Sequence, residues 1–157
     1  MEHQTIFISG SISITELPPD LEKRLTNVIK SGFKIIIGDA NGADKAFQRF
    51  LADQHYQEVV VYCSRNRCRN NLGQWRCQNV QVPSHLTGRA FYTEKDKEMA
   101  RLADYGLVLW DGKSKGSLAN IKALLKRNKK SLVYLNPNRT FYIIANAQQI
   151  GPLQAAG

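Results

Sequence analysis

The sequence has few cysteines and no long apolar run, and these two scarcities exclude several classes of protein. Three cysteines occur in 157 residues, and an odd number without a secretory signal argues against a disulfide framework. No stretch approaches the ~18 apolar residues of a membrane span, and the first residues lack the basic and apolar regions of a signal peptide. We therefore expect a cytoplasmic protein with no membrane partner.

The cysteines, Cys63, Cys68 and Cys77, would form a four-ligand zinc set if His85 joined them. Their spacing is C-x4-C-x8-C-x7-H, which lacks the tight C-x2-C pair typical of structural zinc sites. The spacing favours free thiols, and we predict neither a metal nor a cofactor.

Acidic residues are absent from two long segments of a chain whose net charge is +9. Residues 59–93 contain five arginines, and residues 112–157 contain eight basic residues. Such blocks indicate a phosphorylated or polyanionic partner, or else a solvated basic surface. The arginines of the first block are Arg65, Arg67, Arg69, Arg76 and Arg89.

Strand-like runs alternate with helical patterns along the chain. The runs at 34–37 and 58–62 are nearly unbroken apolar segments, typical of strands covered on both faces. This alternation predicts an α/β fold, a Rossmann-like parallel sheet of about five strands with helices on both faces. The predicted strands are 5–9, 34–37, 58–62, 105–110 and 131–135, with a candidate edge strand at 140–144. The first predicted helix opens at Pro18 and Pro19 and stops at Ser31-Gly32, and the others are 43–51, 93–103 and 117–127. We expect one domain over 1–157, a long basic loop or insertion at 65–88 with a candidate short element at 79–82, and a frayed tail.

Three strand-to-helix turns combine glycine with serine or aspartate: GSIS at 10–13, GDANGAD at 38–44 and DGKSKGS at 111–117. Glycine lets a backbone approach a ligand closely, and a helix amino terminus favours phosphate. We expect the last helix to begin with Ser117 as its N-cap. Because ligands bind outside the carboxyl ends of parallel strands, the turns predict one site. None matches the G-x-G-x-x-G or P-loop pattern.

Carboxylates near that edge could accept ribose hydroxyls or act as a general base. The catalytic candidates are Asp39, Asp96 and Asp111. Asp44 could bind the ligand or merely charge the first turn of its helix, and Trp110 could stack on a base or belong to the core. The predicted ligand-binding residues are Gly10, Ser11, Gly38, Asp39, Ala40, Asn41, Gly42, Asp44, Arg69, Asn70, Lys95, Asp96, Trp110, Asp111, Gly112, Ser114, Gly116, Ser117 and Asn120.

Taken in order, these segments resemble the SLOG superfamily of Rossmann-like domains, which is named for the Smf/DprA proteins and the Lonely Guy enzymes. The chain is most similar to its YspA-like branch, from about Ile6 to Leu135. The resemblance implies a domain that binds nucleotides or nucleotide-derived ligands at the three turns; some relatives sense such ligands and others cleave N-glycosidic bonds. It rests on Gly10-Ser11, GDANGAD at 38–44, RNNLGQW at 69–75 and KDKEMARLADYGLVLWDGKSKGS at 95–117.

The chain departs from these relatives at two positions. Ile12 stands where the YspA-like pattern has an arginine, which removes one expected phosphate contact. The glutamate of the Lonely Guy motif falls on Ala119 or Asn120, so its catalytic carboxylate is missing in place.

Three functions follow. We predict first a domain that binds or senses a nucleotide-like small molecule. The alternatives are an N-glycoside hydrolase acting on nucleoside phosphates, and a weak nucleic-acid binder that uses the basic loop and the carboxyl-terminal third. Aromatic residues should interleave with the arginines of a nucleic-acid binder, and Trp75 alone does so within 65–76. A homo-oligomer is compatible with the sequence.

Overall fold

The computed structural model of the chain describes residues 4–64 and 68–156. Over these residues strands and helices alternate through the first half of the chain. The strands are β1 (Thr5–Gly10), β2 (Lys34–Gly38), β3 (Val59–Cys63), β4 (Arg76–Asn79), β5 (Tyr105–Trp110), β6 (Ser131–Leu135) and β7 (Thr140–Ile144). The helices are α1 (Pro19–Lys30), α2 (Ala43–Asp53), α3 (Gly88–Leu102), α4 (Lys115–Leu125) and α5 (Ile150–Ala156).

The seven strands form one sheet in the order β4-β3-β2-β1-β5-β6-β7. All neighbouring pairs are parallel except β6 and β7. In the centre, Ile8 of β1 lies opposite Ile37 of β2 and Leu107 of β5. The chain moves outward from β1 through β2 to β4 and then returns to add β5 on the other side of β1. The strand order therefore reverses beside β1, where a ligand crevice is expected in such sheets.

Helices cover both faces of the sheet because the central strands are apolar on both sides. On one face, α1 and α2 bury Leu21, Leu25 and Phe47 against the strands. On the other face, Met99 of α3 and Leu124 of α4 pack against the sheet. These contacts, with the parallel order, confirm the predicted Rossmann-like α/β class.

Several predicted boundaries need correction. The sheet has seven strands rather than about five, since 140–144 is a strand and the edge strand after β3 is 76–79 rather than 79–82. Helix α3 begins five residues earlier than predicted, at residue 88. The tail is not frayed, because α5 buries Ile150 and Leu153 in a cluster with β5 to β7.

No helix of the described residues is long and apolar enough to cross a membrane.

The cysteines also differ from the expected free thiols. Cys63 and Cys68 are joined in a disulfide, whereas Cys77 is free and exposed. His85 is not part of the group that the three sulfur atoms form among the described residues. Arg65 and Arg67 of the predicted basic loop lie outside the described residues.

Candidate ligand-binding cleft

A cleft of about 250 Å³ lies at the carboxyl ends of β1 and β2, beside the point between β1 and β5 where the strand order reverses. Its walls are the amino-terminal halves of α3 and α4, and its floor includes Ser9 and Gly10 of β1. The three predicted turns meet around it. This is the edge at which the sequence predicts ligand binding.

Ser11 connects the three turns and is itself fully buried. Its backbone N donates to Leu109 O at 2.9 Å, and its carbonyl accepts from Ala43 N at 3.2 Å. Its Oγ accepts from the backbone N of Asp111 at 3.0 Å. Gly42 completes this packing with φ of 77°, because a side chain there would overlap the backbone of Ile12. Ser11 and Gly42 therefore shape the site without lining it.

Helix α4 begins at Lys115 with Ser114 as its N-cap, two residues before the predicted start. The Ser114 Oγ accepts from the backbone N of Ser117, and this corrects the prediction that Ser117 is the cap. The guanidinium of Arg89 lies over the first turn, since a Cβ on Gly116 would come within 3.1 Å of Arg89 Nη1. The positive end of α4 and an arginine side chain thus face the same space, which suits an anion.

Asp39 is the anchor of the arginine-rich segment. Its carboxylate accepts from Arg69 Nη2 at 2.7 Å, from Arg69 N at 2.8 Å and from Lys95 Nζ at 3.3 Å. The side chains of Asp39 and Lys95 are each 4% exposed, whereas that of Arg69 is 43% exposed. Burial alone would raise the pKa of Asp39, but the bonds from Arg69 and the charge of Lys95 hold it below its usual range. Asp39 is therefore an ionised structural partner and not a free base.

Further contacts hold Arg69 in place. Its guanidinium lies 4.7 Å from the ring centre of Tyr92 on α3, a distance typical of cation–π contacts. Next to it, the Asn70 side chain donates to Asp39 O at 2.9 Å and to Asn41 Oδ1 at 3.0 Å. Gln48 of α2, which is fully buried, donates to the carbonyl of Asn70 at 3.1 Å. Sequence patterns did not single out Gln48, because its role depends on a segment more than 20 residues away.

Two carboxyl groups in the cleft have raised pKa values. Burial raises the pKa of Asp44 to about 7, and the nearby charge of Lys95 offsets this only in part. Burial also raises the pKa of Asp96 to about 6, against the charges of Lys95, Arg89 and Arg69. Both groups line the cleft, so its charge changes across the neutral pH range.

Two buried polar atoms of the cleft have no hydrogen-bond partner among the described residues: Ser9 Oγ and Asn120 Oδ1. Ser9 is 6% exposed and Asn120 is 7% exposed. Buried polar atoms are nearly always satisfied in folded proteins. Both atoms belong to residues that line the cleft.

Asp111 and Trp110 lie elsewhere. Asp111 accepts from the backbone N of Lys113 and of Ser114 at 2.9 Å and 2.7 Å, and from Ser13 Oγ at 2.7 Å. These bonds outweigh its partial burial and lower the pKa of Asp111. It lines a second cleft, of about 450 Å³, with Arg139. Trp110 is fully buried in the core, its Nε1 donating to Ser114 O, and this corrects the suggestion that a base stacks on it.

The structure brings many of the predicted residues together and leaves others behind the surface. The predicted residues that line the cleft are Gly10, Gly38, Ala40, Asp44, Arg69, Lys95, Asp96, Ser114, Gly116, Ser117 and Asn120. Those outside its lining are Ser11, Asp39, Asn41, Gly42, Asn70, Trp110, Asp111 and Gly112. Lining residues absent from the prediction include Ser9, Arg89 and Tyr92. Arg89 could have been found from its place in the acid-free segment 59–93, whereas no sequence pattern pointed to Tyr92.

The sheet, its reversal point and the cleft define a Rossmann-like α/β protein. The fold is similar to a solved structure of DNA processing protein A from Helicobacter pylori, which was studied for its binding of single-stranded DNA. The TM-score is 0.60 at 17% identity, and the match covers 83% of this chain and 64% of that chain. No protein-family model and no curated protein matches the chain.

Proposed function

We propose that the chain binds a phosphorylated, nucleotide-like small molecule in the cleft beside β1. The carrying observation is that Arg69, Arg89 and the first turn of α4 converge on a space also lined by Ser9 and Asn120, each of which has a buried polar atom without a partner among the described residues. Positive charge at the rim suits phosphate. The hydroxyl of Ser9 and the amide of Asn120 suit the hydroxyls of a sugar or the polar edge of a base.

The size of the cleft favours a small ligand. Pockets for drug-sized molecules measure about 300–1,000 Å³, and this one is about 250 Å³. A mononucleotide fits that scale better than a dinucleotide. We propose that the residues lining the cleft bind the ligand. Arg69 and Arg89 lie toward the phosphate, and Ser9 and Asn120 lie toward the nucleoside.

We also propose that the chain is one domain of the SLOG superfamily and belongs to its YspA-like branch. The Rossmann-like sheet and the likeness to DNA processing protein A support the superfamily. The branch rests on the segments at 38–44, 69–75 and 95–117.

The test is a thermal-shift and calorimetry panel of nucleoside 5′-monophosphates and the matching nucleosides. A ligand at 100 times its Kd stabilises the folded state by about 2.7 kcal/mol. Arg89→Ala should weaken the binding of the monophosphates more than the binding of the nucleosides. Arg49→Ala is the matched control, because Arg49 is exposed on α2 and outside the cleft. A panel without any shift would contradict the proposal.

A second candidate function is binding of single-stranded nucleic acid, favoured by the fold likeness to DNA processing protein A and by the basic segment after α4. That segment has fewer free cations than its sequence suggests, since Lys129 Nζ donates to Ala100 O and Arg101 O at 2.9 Å and 2.8 Å. The salt dependence of oligonucleotide binding separates the two candidates.

A further inference from the structure

Three sulfur atoms meet at the outer edge of the sheet, away from the proposed nucleotide cleft. Cys63 ends β3 and is fully buried, Cys68 lies in the segment that follows, and Cys77 is exposed on β4. Their Sγ atoms all lie within 4.8 Å of one another. Cys68 Sγ and Cys77 Sγ are 3.1 Å apart. The parallel register creates this meeting, because Cys77 lies opposite Val61 and Asn79 lies opposite Cys63.

We propose that, once the Cys63–Cys68 disulfide is reduced, the three cysteines bind one thiophilic cation of the Zn²⁺ class as a tris-thiolate site. Tetrahedral Zn²⁺ with Zn–S bonds of about 2.3 Å sets its sulfur ligands roughly 3.8 Å apart. The observed grouping of the sulfurs meets that requirement with small side-chain movements. Thiolate ligands select Zn²⁺ and Cu⁺ over harder cations. Three protein ligands leave a fourth position for water or an added ligand.

The surroundings of Cys77 support a metal site. Asn71 Nδ2 donates to Cys77 Sγ at 3.2 Å. Asn71 is itself fixed, because it donates to Trp75 O at 2.8 Å and accepts from Trp75 N at 3.0 Å. A held donor to a ligand atom is the outer-shell arrangement that orients metal ligands.

Metal binding requires prior reduction of the disulfide. A dithiol or phosphine supplies two electrons, and solvent supplies two protons, so that the disulfide becomes two thiols. The cation then displaces three thiol protons and forms three metal–sulfur bonds. Because Cys68 directly precedes Arg69, the bound cation would also fix the segment that carries Arg69 to Asp39.

Titration of the full chain with Co²⁺ under anaerobic reducing conditions tests the proposal. One equivalent should produce sulfur-to-cobalt charge-transfer absorption with the intensity of three thiolates, and Zn²⁺ should abolish it. Cys77→Ser should weaken binding by about 100-fold or more, beyond the 10–100-fold typical of losing an outer-shell partner. Gln78→Ser, a change to the adjacent exposed residue of β4, should leave binding unaltered.

The oxidised chain provides a second control without mutation, because the disulfide leaves one thiol and should give no charge-transfer band. Absence of the band in the reduced protein would overturn the proposal. So would equal Co²⁺ affinity in the reduced wild type and Cys77→Ser, or in the reduced and oxidised chains. None of these readouts requires a nucleotide, so the result is independent of the proposed function.

Discussion

Arg69 and Asp39 are joined twice, through the guanidinium at 2.7 Å and through the backbone N of Arg69 at 2.8 Å. Lys95 Nζ shares one of the same carboxylate oxygens at 3.3 Å. One buried carboxylate thus fixes a segment that follows β3 and neutralises a cation on α3. The proposed phosphate contact depends on this pair, because it sets where the exposed part of Arg69 lies.

Replacing Asp39 should therefore affect stability as well as binding. Asp39→Ala leaves Lys95 buried without its bonded partner, and breaking such a pair costs about 3–5 kcal/mol. We expect a loss near the lower limit, since Asp44 and Asp96 also act on Lys95. Urea denaturation measures the change. The double variant Asp39→Ala/Lys95→Met should recover a large part of the loss; a double variant no more stable than Asp39→Ala would contradict the account.

Arg69 should discriminate phosphorylated from unphosphorylated ligands. Hydrogen bonds to charged groups contribute about 1.5–3 kcal/mol, so Arg69→Ala should lower the affinity for a nucleoside monophosphate by about 10- to 100-fold. The affinity for the matching nucleoside should fall much less. Arg69→Lys should restore binding only in part, because lysine lacks the planar two-donor geometry. Calorimetry with the two ligands measures both effects, and equal losses would show that Arg69 does not bind phosphate.

The sequence allowed the sheet and most cleft residues to be predicted, and its failures have physical causes. β5, β6 and β7 begin and end where their apolar runs do. Arg89 and Tyr92 were missed because the first two turns of α3 carry no clear helical periodicity. Trp110 could not be assigned, since its burial depends on α5 packing from 40 residues away. The three cysteines were weighed as a zinc set with His85 and set aside on their spacing, because strand register, and not local spacing, brings their sulfur atoms together.

Affinity for an anionic ligand should rise as the pH falls from 8 to 5.5. The pKa values of Asp44 and Asp96, about 7 and about 6, are raised by burial, so both groups are charged at pH 8 and largely neutral at pH 5.5. Protonation removes two negative charges from the cleft. At an effective dielectric constant of about 20, one unit charge about 8 Å from the ligand anion opposes binding by about 2 kcal/mol, so removing both charges should raise the affinity by at least about 10-fold.

A nucleoside 5′-sulfate is the suitable probe for this pH series, because its charge does not change over the range. Asp44→Asn and Asp96→Asn should each flatten the dependence. An affinity that is constant with pH in the wild type, or a pH dependence as steep in both variants as in the wild type, would contradict the assignment.

Oligonucleotide binding should be weak and strongly dependent on salt. The cations in the last turn of α4 and after it lie on a surface without a row of exposed aromatic rings in the described residues, and electrostatic contacts alone give Kd values of about 10⁻⁴–10⁻⁶ M at physiological salt. Lys122→Ala and Lys126→Ala should reduce the salt slope, whereas Arg69→Ala should leave it unchanged if the cleft does not take part. Fluorescence anisotropy with single-stranded DNA of several lengths measures this. A tight, length-dependent complex at physiological salt would make nucleic-acid binding the leading function.

Cleavage of N-glycosidic bonds should be slow or absent. Such chemistry benefits from carboxyl groups that flank the scissile bond, and two of the three sequence candidates are engaged elsewhere. Asp39 is held by Arg69 and Lys95, and Asp111 accepts three hydrogen bonds within its turn. Asp96 remains in the cleft, and Ala119 or Asn120 stands where the Lonely Guy motif that this segment resembles has its glutamate. Loss of a general acid or base costs about 10²–10⁴-fold in rate, so a binding domain without catalysis is the expected outcome.

Chromatography of nucleoside monophosphates after long incubation should reveal no free base. Multiple-turnover release that Asp96→Asn abolishes, while Asp111→Asn preserves it, would instead establish hydrolysis and identify Asp96 as its acid.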